Sequence, residues 1–150
     1  MTDSPVVGVW RLVTVEDQHP DGRVTHPYGE HPIGYLIYHP DGYMSATLMA
    51  ADRPHLAEPA RPYALIAEDA AAVMRTMGSA YCGTYEVRDG SVVHHVQASL
   101  IPNMTGSDEE RPFQLINERL YVYTMPRPGG DGVKICAVWQ RAEPTRDVMG

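Results

Sequence analysis

The chain has 150 residues, a length that fits one domain, 1–150, built as a single core or a small barrel around a cavity. Its 19 acidic against 12 basic side chains give a formal charge of −7 with no basic cluster, which argues against nucleic acid and anionic membranes as partners. The opening Met1-Thr2-Asp3-Ser4-Pro5 lacks the basic and apolar regions of a secretory leader, and no run approaches the ~18 apolar residues of a membrane span, so the chain reads as cytoplasmic.

In chain order, β-prone runs punctuated by Gly, Pro and Asp are expected near 8–16, 23–27, 33–39, 42–49, 80–88, 91–101, 111–117, 119–125 and 132–141. This spacing is that of an antiparallel sandwich or barrel. The third and fourth runs flank Pro40-Asp41-Gly42, a turn in which Pro40 fixes φ, Asp41 bonds locally and Gly42 takes the left-handed position. With His39 opposite Tyr43, one face carries Leu36, Tyr38, Met44, Ala46 and Leu48, and the other Tyr35, Ile37, Tyr43, Ser45 and Thr47. The first set is the more apolar and is placed inward. Residues 50–61, with internal prolines, read as a surface loop. The Ala-rich segment after Pro62 predicts one helix over 63–77, stopped by Gly78, whose apolar positions Leu65, Ile66, Ala70, Val73, Met74 and Met77 form a face able to cover the barrel mouth or side.

Asp89-Gly90 marks a second, two-residue hairpin turn. Its register sets Val87 against Val92, Tyr85 against His94, Gly83 against Val96 and Tyr81 against Ala98. The reverse face, with Glu86, His95, Gln97 and Ser99, suits solvent or a contact between two copies, which leaves a homodimer open. Cys82 and Cys136 lie in apolar strand-like runs and read as buried, reduced thiols. Pro128-Gly129-Gly130-Asp131-Gly132 joins two strands, so it is a hairpin loop without the helix N-terminus that would hold phosphate. The tail after Glu143 reads as dispensable.

Several of these stretches together resemble the bacterial and fungal lipocalin-like domain family over 8–141. They are Gly8-Val9-Trp10-Arg11-Leu12-Val13, the hairpin from Pro32 to Ser45, Tyr81-Cys82-Gly83-Thr84-Tyr85-Glu86-Val87 with Val93-His94-His95-Val96, Pro102-Asn103, Gly106, Arg111 and Phe113. The resemblance implies a mainly β fold, an antiparallel lipocalin-like barrel of about eight to ten strands with one helix inserted mid-chain, and an internal cavity. It also implies that an arginine in the Trp139-Gln140-Arg141 strand lies across a tryptophan sealing one barrel end.

Inside such a barrel, His94 beside Tyr85 is the candidate proton-handling group, against the alternative of a satisfied core histidine. Arg111, in phase with Phe113 and Leu115, could hold a ligand carboxylate, carbonyl or enolate, or else close a barrel end. Asn103 could donate to the same oxygen. Nine tyrosines against one phenylalanine suit ligand walls with polar tips, and the expected wall is Tyr38, Met44, Tyr81, Tyr85, His94, Leu115, Val122 and Ala137, with Trp139 as a fluorescent reporter among them. The seven histidines show no two-histidine metal spacing, so no metal and no cofactor is expected. The partner is then a hydrophobic small molecule. The leading expectation is a cofactor-independent cyclase or isomerase of a polyketide- or terpenoid-like natural-product intermediate, and the alternative is a non-catalytic carrier.

Overall fold

The computed structural model describes residues 4–56 and 61–145. Among the described residues one antiparallel sheet is formed by β1 (Gly8–Gln18), β2 (Val24–Thr25), β3 (Ile33–Tyr38), β4 (Tyr43–Met49), β5 (Met77–Arg88), β6 (Ser91–Ser99), β7 (Asp108–Ile116), β8 (Arg119–Thr124) and β9 (Lys134–Arg141). The order β1-β3-β4-β5-β6-β7-β8-β9 closes on itself because β1 pairs with β9 from Trp10–Arg141 to Gln18–Lys134. Eight strands therefore make a closed lipocalin-like barrel, and closure leaves no open sheet edge around it. Strand β2 adds only to the far end of β1, at Asp17–Thr25 and Gln18–Val24. A bulge between Leu12 and Thr14 bends the long β1.

One end is sealed. Trp10 is fully buried, its Nε1 donates to the Val6 carbonyl at 2.8 Å, and the Arg141 guanidinium lies 4.2 Å from its ring centroid. Arg141 also donates to the carbonyls of Val7 (3.0 Å) and Pro5 (3.1 Å), which ties the N-terminal segment across the seal.

The first hairpin has the expected register. The His39 amide donates to Tyr43 at 2.8 Å, the Gly42 amide to His39 at 3.0 Å, and Gly42 sits at φ +96°. Leu36, Tyr38, Met44 and Ala46 are buried, whereas Tyr35, Ile37 and Tyr43 are exposed. The second hairpin turns through Asp89 (φ 46°) and Gly90 (φ 80°) and pairs Tyr85 with His94 as expected. Beyond Gly83 the expected register fails. A bulge opposite the Cys82–Gly83 step sets Cys82 against Ala98 and Tyr81 against Ser99, not Ala98. Gly83 permits it, since a Cβ there would lie 2.0 Å from the His95 carbonyl oxygen. Cys82, out of phase with Tyr81 and Gly83, is exposed rather than buried, whereas Cys136 is buried; both are free thiols.

The helix is shorter than expected. A single 3-10 turn spans Pro62–Ala64, Leu65 and Ile66 are extended, and α1 covers Ala67–Thr76. Met77 is already extended (ψ 130°), and Gly78 belongs to β5 rather than ending the helix, because Leu48 and Tyr28 pack where a side chain would stand. No residue of α1 is buried, Met74 is 42% exposed, and Ile66 at its start is 64% exposed. The helix therefore lies against the barrel's outside, clamped by Arg53, whose Nε donates to Thr76 Oγ1 at 2.9 Å and whose Nη2 donates to the Val73 carbonyl at 3.3 Å. Of the expected loop, 57–60 lie outside the described residues, as do 146–150 of the tail and 1–3 of the N-terminus. No helix among the described residues is long and apolar enough to cross a membrane.

Candidate functional site

Between the Trp10 seal and the opposite, open end the barrel holds a cavity of about 320 Å³, near the lower limit for small-molecule sites. The register orders its wall by depth. Tyr81, His94 and Arg111 come from β5, β6 and β7, while Val122, Ala137 and Trp139 come from the in-phase positions of β8 and β9. Six of the expected residues are thus brought together. Tyr38, Met44 and Tyr85 are instead buried core on the sealed side of the cavity. Leu115 opposes Leu120 near the sealed end and is 38% exposed, outside the cavity. Asn103 is exposed in a one-turn 3-10 segment, Pro102–Met104, from which Met104 reaches the wall in its place. No residue of α1 lines the cavity, so the helix does not cover it.

The deep end is polar and ordered. His94 is 2% exposed, with Tyr38 Oη 2.6 Å from Nε2 and Tyr81 Oη 2.6 Å from Nδ1. The expected Tyr85 partnership is replaced: the Tyr85 hydroxyl donates to the His39 carbonyl at 2.8 Å, and its ring packs 4.7 Å from that of Tyr38. Strand neighbours point side by side, so the longer phenol of Tyr85 reaches past the imidazole, while Tyr38 meets it from β3 and Tyr81 from four residues back along β5, the strand that also carries Tyr85.

Proton positions follow from satisfaction. Tyr38 is fully enclosed and His94 Nε2 is its hydroxyl's partner, so Tyr38 must donate there; the reverse arrangement would strand a buried O–H. Nδ1–H then donates to Tyr81, whose own O–H remains to be given into the cavity that Tyr81 lines. Burial first, then the positive charges of Arg111 and His95, pushes the His94 pKa down to about 3, so the ring is neutral in this chain. Burial raises the Tyr38 and Tyr81 hydroxyls above the usual phenol range, and Arg111 partly opposes the rise at Tyr81 through its charge and a hydrogen bond. Arg111 Nη1 pairs with Glu109 at 3.2 Å, with side chains only 13% and 18% exposed, and Glu109 also accepts from Ser107 Oγ at 2.9 Å. The deep end therefore presents a phenolic donor beside a neutralised guanidinium. Such a pair can hold and polarise one ligand oxygen.

Sequence reasoning missed Asp17, Tyr28 and Thr124, which line the outer part of the cavity. Simple alternation from Leu12 would have turned Asp17 outward; the β1 bulge shifts the phase and brings it inward with Val15, and Tyr28 enters from a loop with no periodicity. The phase of Asp17 with Val15 was the one available signal.

A family model for a lipocalin-like domain matches residues 7–142. Among curated proteins none matches the chain.

Proposed function

This chain belongs to the lipocalin-like domain family, and from that premise we propose that its barrel takes up a compact, mainly apolar small molecule by one acceptor oxygen and isomerises or cyclises it without a cofactor. The observation that carries this reading is the ordered Tyr38–His94–Tyr81 chain ending beside Arg111 inside an otherwise apolar wall. Tyr81 and Arg111 are the catalytic residues, stabilising negative charge as a ketone gives up its α-proton to water or hydroxide entering from solvent and moves toward its enolate, which regains a proton from the same solvent. His94 is too weak a base to take a proton near neutral pH, and acts as a positioning residue that aims the Tyr81 hydroxyl. Polyketide- and terpenoid-like intermediates, apolar bodies bearing carbonyls, fit that chemistry.

One observation favours a second reading. Glu109 is held by Arg111 and Ser107, so among the described residues the deep end offers no free carboxylate base, and a carrier needs none. Deuterium exchange at the carbon next to a carbonyl separates the two, with 2-acetylnaphthalene as probe and Trp139 fluorescence as the binding signal. For an enzyme, exchange exceeds the buffer rate, and Arg111→Met or Tyr81→Phe lowers it by about 10²-fold while affinity changes by only a few-fold. Binding with exchange at the buffer rate makes the protein a carrier.

A further inference from the structure

The open end of the cavity carries a second polar group that the deep end does not use. Asp17 and Thr124 are both cross-strand partners of Ile135, so the three side chains stand abreast on one face of β1, β9 and β8, and all three line the cavity. Tyr28 closes in from the opposite side, its ring against Gly78, where a Cβ would lie 3.0 Å from Tyr28 Cζ. Among the described residues the side chains of Asp17, Tyr28 and Thr124 make no hydrogen bond or ion pair with one another or with any other side chain. The Tyr28 hydroxyl is raised above the usual phenol range by burial and then by the Asp17 charge, so the two groups feel one another. Arg111, the cation of the wall, already has Glu109 at 3.2 Å. Asp17 is therefore the uncompensated charge of the cavity.

We infer that Asp17 receives a protonated amine, so that the ligand is a compact amino ketone or a similar apolar cation with its oxygen at Tyr81 and its ammonium at the open end. This rests on the proposed binding of an oxygen at the deep end. An apolar ligand filling the cavity strips water from Asp17 and returns nothing, whereas an ammonium replaces that water with charge-assisted hydrogen bonds to Asp17 and gives Thr124 and Tyr28 oxygens a donor. Length agrees with a two-ring body: Trp139 and Ile135, which line the two ends, are about 13 Å apart along β9 at the usual strand rise.

Three probes test it at pH 7: 2-acetylnaphthalene bearing aminomethyl, hydroxymethyl or ethyl at carbon 6, titrated against Trp139 fluorescence and by calorimetry. The aminomethyl compound should bind about tenfold or more tighter than the ethyl compound, with the hydroxymethyl compound between them. Asp17→Asn should erase that preference and leave the ethyl affinity within about threefold, and Asp17→Ser, checked by thermal melting, serves as the second variant. Tyr81→Phe should weaken all three probes alike. Equal or tighter binding of the ethyl compound, or a preference that survives both Asp17 substitutions, overturns the amine assignment while the deep oxygen site stands. If none of the probes binds the wild type, the oxygen site falls and the amine assignment falls with it.

Discussion

At the scale of single residues, His94 and His95 are neighbours in sequence with opposite acid–base behaviour, because alternate strand positions face opposite sides of the barrel wall. His94 is enclosed between two phenols and has its pKa pushed down to about 3 by burial, then by Arg111 and His95. His95 faces outward, with Asp108 at 2.6 Å and Glu86 at 3.2 Å, and its hydrogen bond to Asp108 is the main cause of its raised pKa. An unfolded chain takes up a proton at His94 as pH falls below about 6.5, while the folded barrel refuses it until about 3. The stabilisation from a neutral His94 is thus present above pH ~6.5 and is lost as pH falls, by at most about 1.4 kcal/mol per unit. Urea unfolding between pH 7 and 4 should show a slope that His94→Gln flattens; equal slopes in the two proteins would remove the buried-neutral assignment. In a proton NMR titration His94 should stay flat from pH 8 to 5, with nitrogen shifts placing its proton on Nδ1, whereas His95 titrates above the ordinary histidine value.

Among elements, the hairpins were legible and the helix ends were not, for one physical reason. Pro40-Asp41-Gly42 and Asp89-Gly90 select their turns by backbone restriction within two or three residues, so register followed directly along the whole first hairpin and, in the second, as far as the bulge at Cys82–Gly83. The boundaries of α1 depend on distant packing: Gly78 is needed for the close approach of Leu48 and Tyr28 in the barrel, which overrides its use as a helix stop. The inward face of the site was legible from alternation, as Tyr81, His94 and Arg111 show, but the partners of His94 were not, since the reach of a phenol across the barrel interior has no sequence period. The β5–β6 bulge is the element that decides where Tyr81 stands. Gly83→Ala would drive a methyl into the His95 carbonyl oxygen, 2.0 Å away, and backbone cannot move as a flexible side chain can. We expect a loss of about 2–4 kcal/mol in urea unfolding, together with weaker protection of the His95 and Gln97 amides from hydrogen exchange. Wild-type stability in Gly83→Ala would mean that the bulge does not depend on the glycine.

For the whole molecule, the barrel divides its labour along its axis, with closure and packing at the Trp10 end and a cavity between the buried Tyr38–His94–Tyr81 chain and the open end. That division makes stability and binding separable. Arg141 stacks on Trp10 and donates to the Val7 and Pro5 carbonyls, and its Nε donates to Glu118 at 3.1 Å; none of these groups lines the cavity. Arg141→Ala removes the cation–π contact and leaves two backbone carbonyls dependent on water, a loss of about 1–3 kcal/mol, or roughly 2–10 °C in melting temperature for a chain of this size. Arg111→Ala works inside the cavity, at its deep end: it takes the partner from Glu109 and removes the polarising cation, so both binding and stability should fall. In thermal melts run with and without 6-(aminomethyl)-2-acetylnaphthalene, Arg141→Ala should begin lower yet gain the same ligand-induced shift as the wild type, because that shift depends only on ligand concentration relative to Kd. If the shift shrinks in proportion to the lost stability, the seal and the cavity are one cooperative unit, and the deep oxygen site depends on the closure below it.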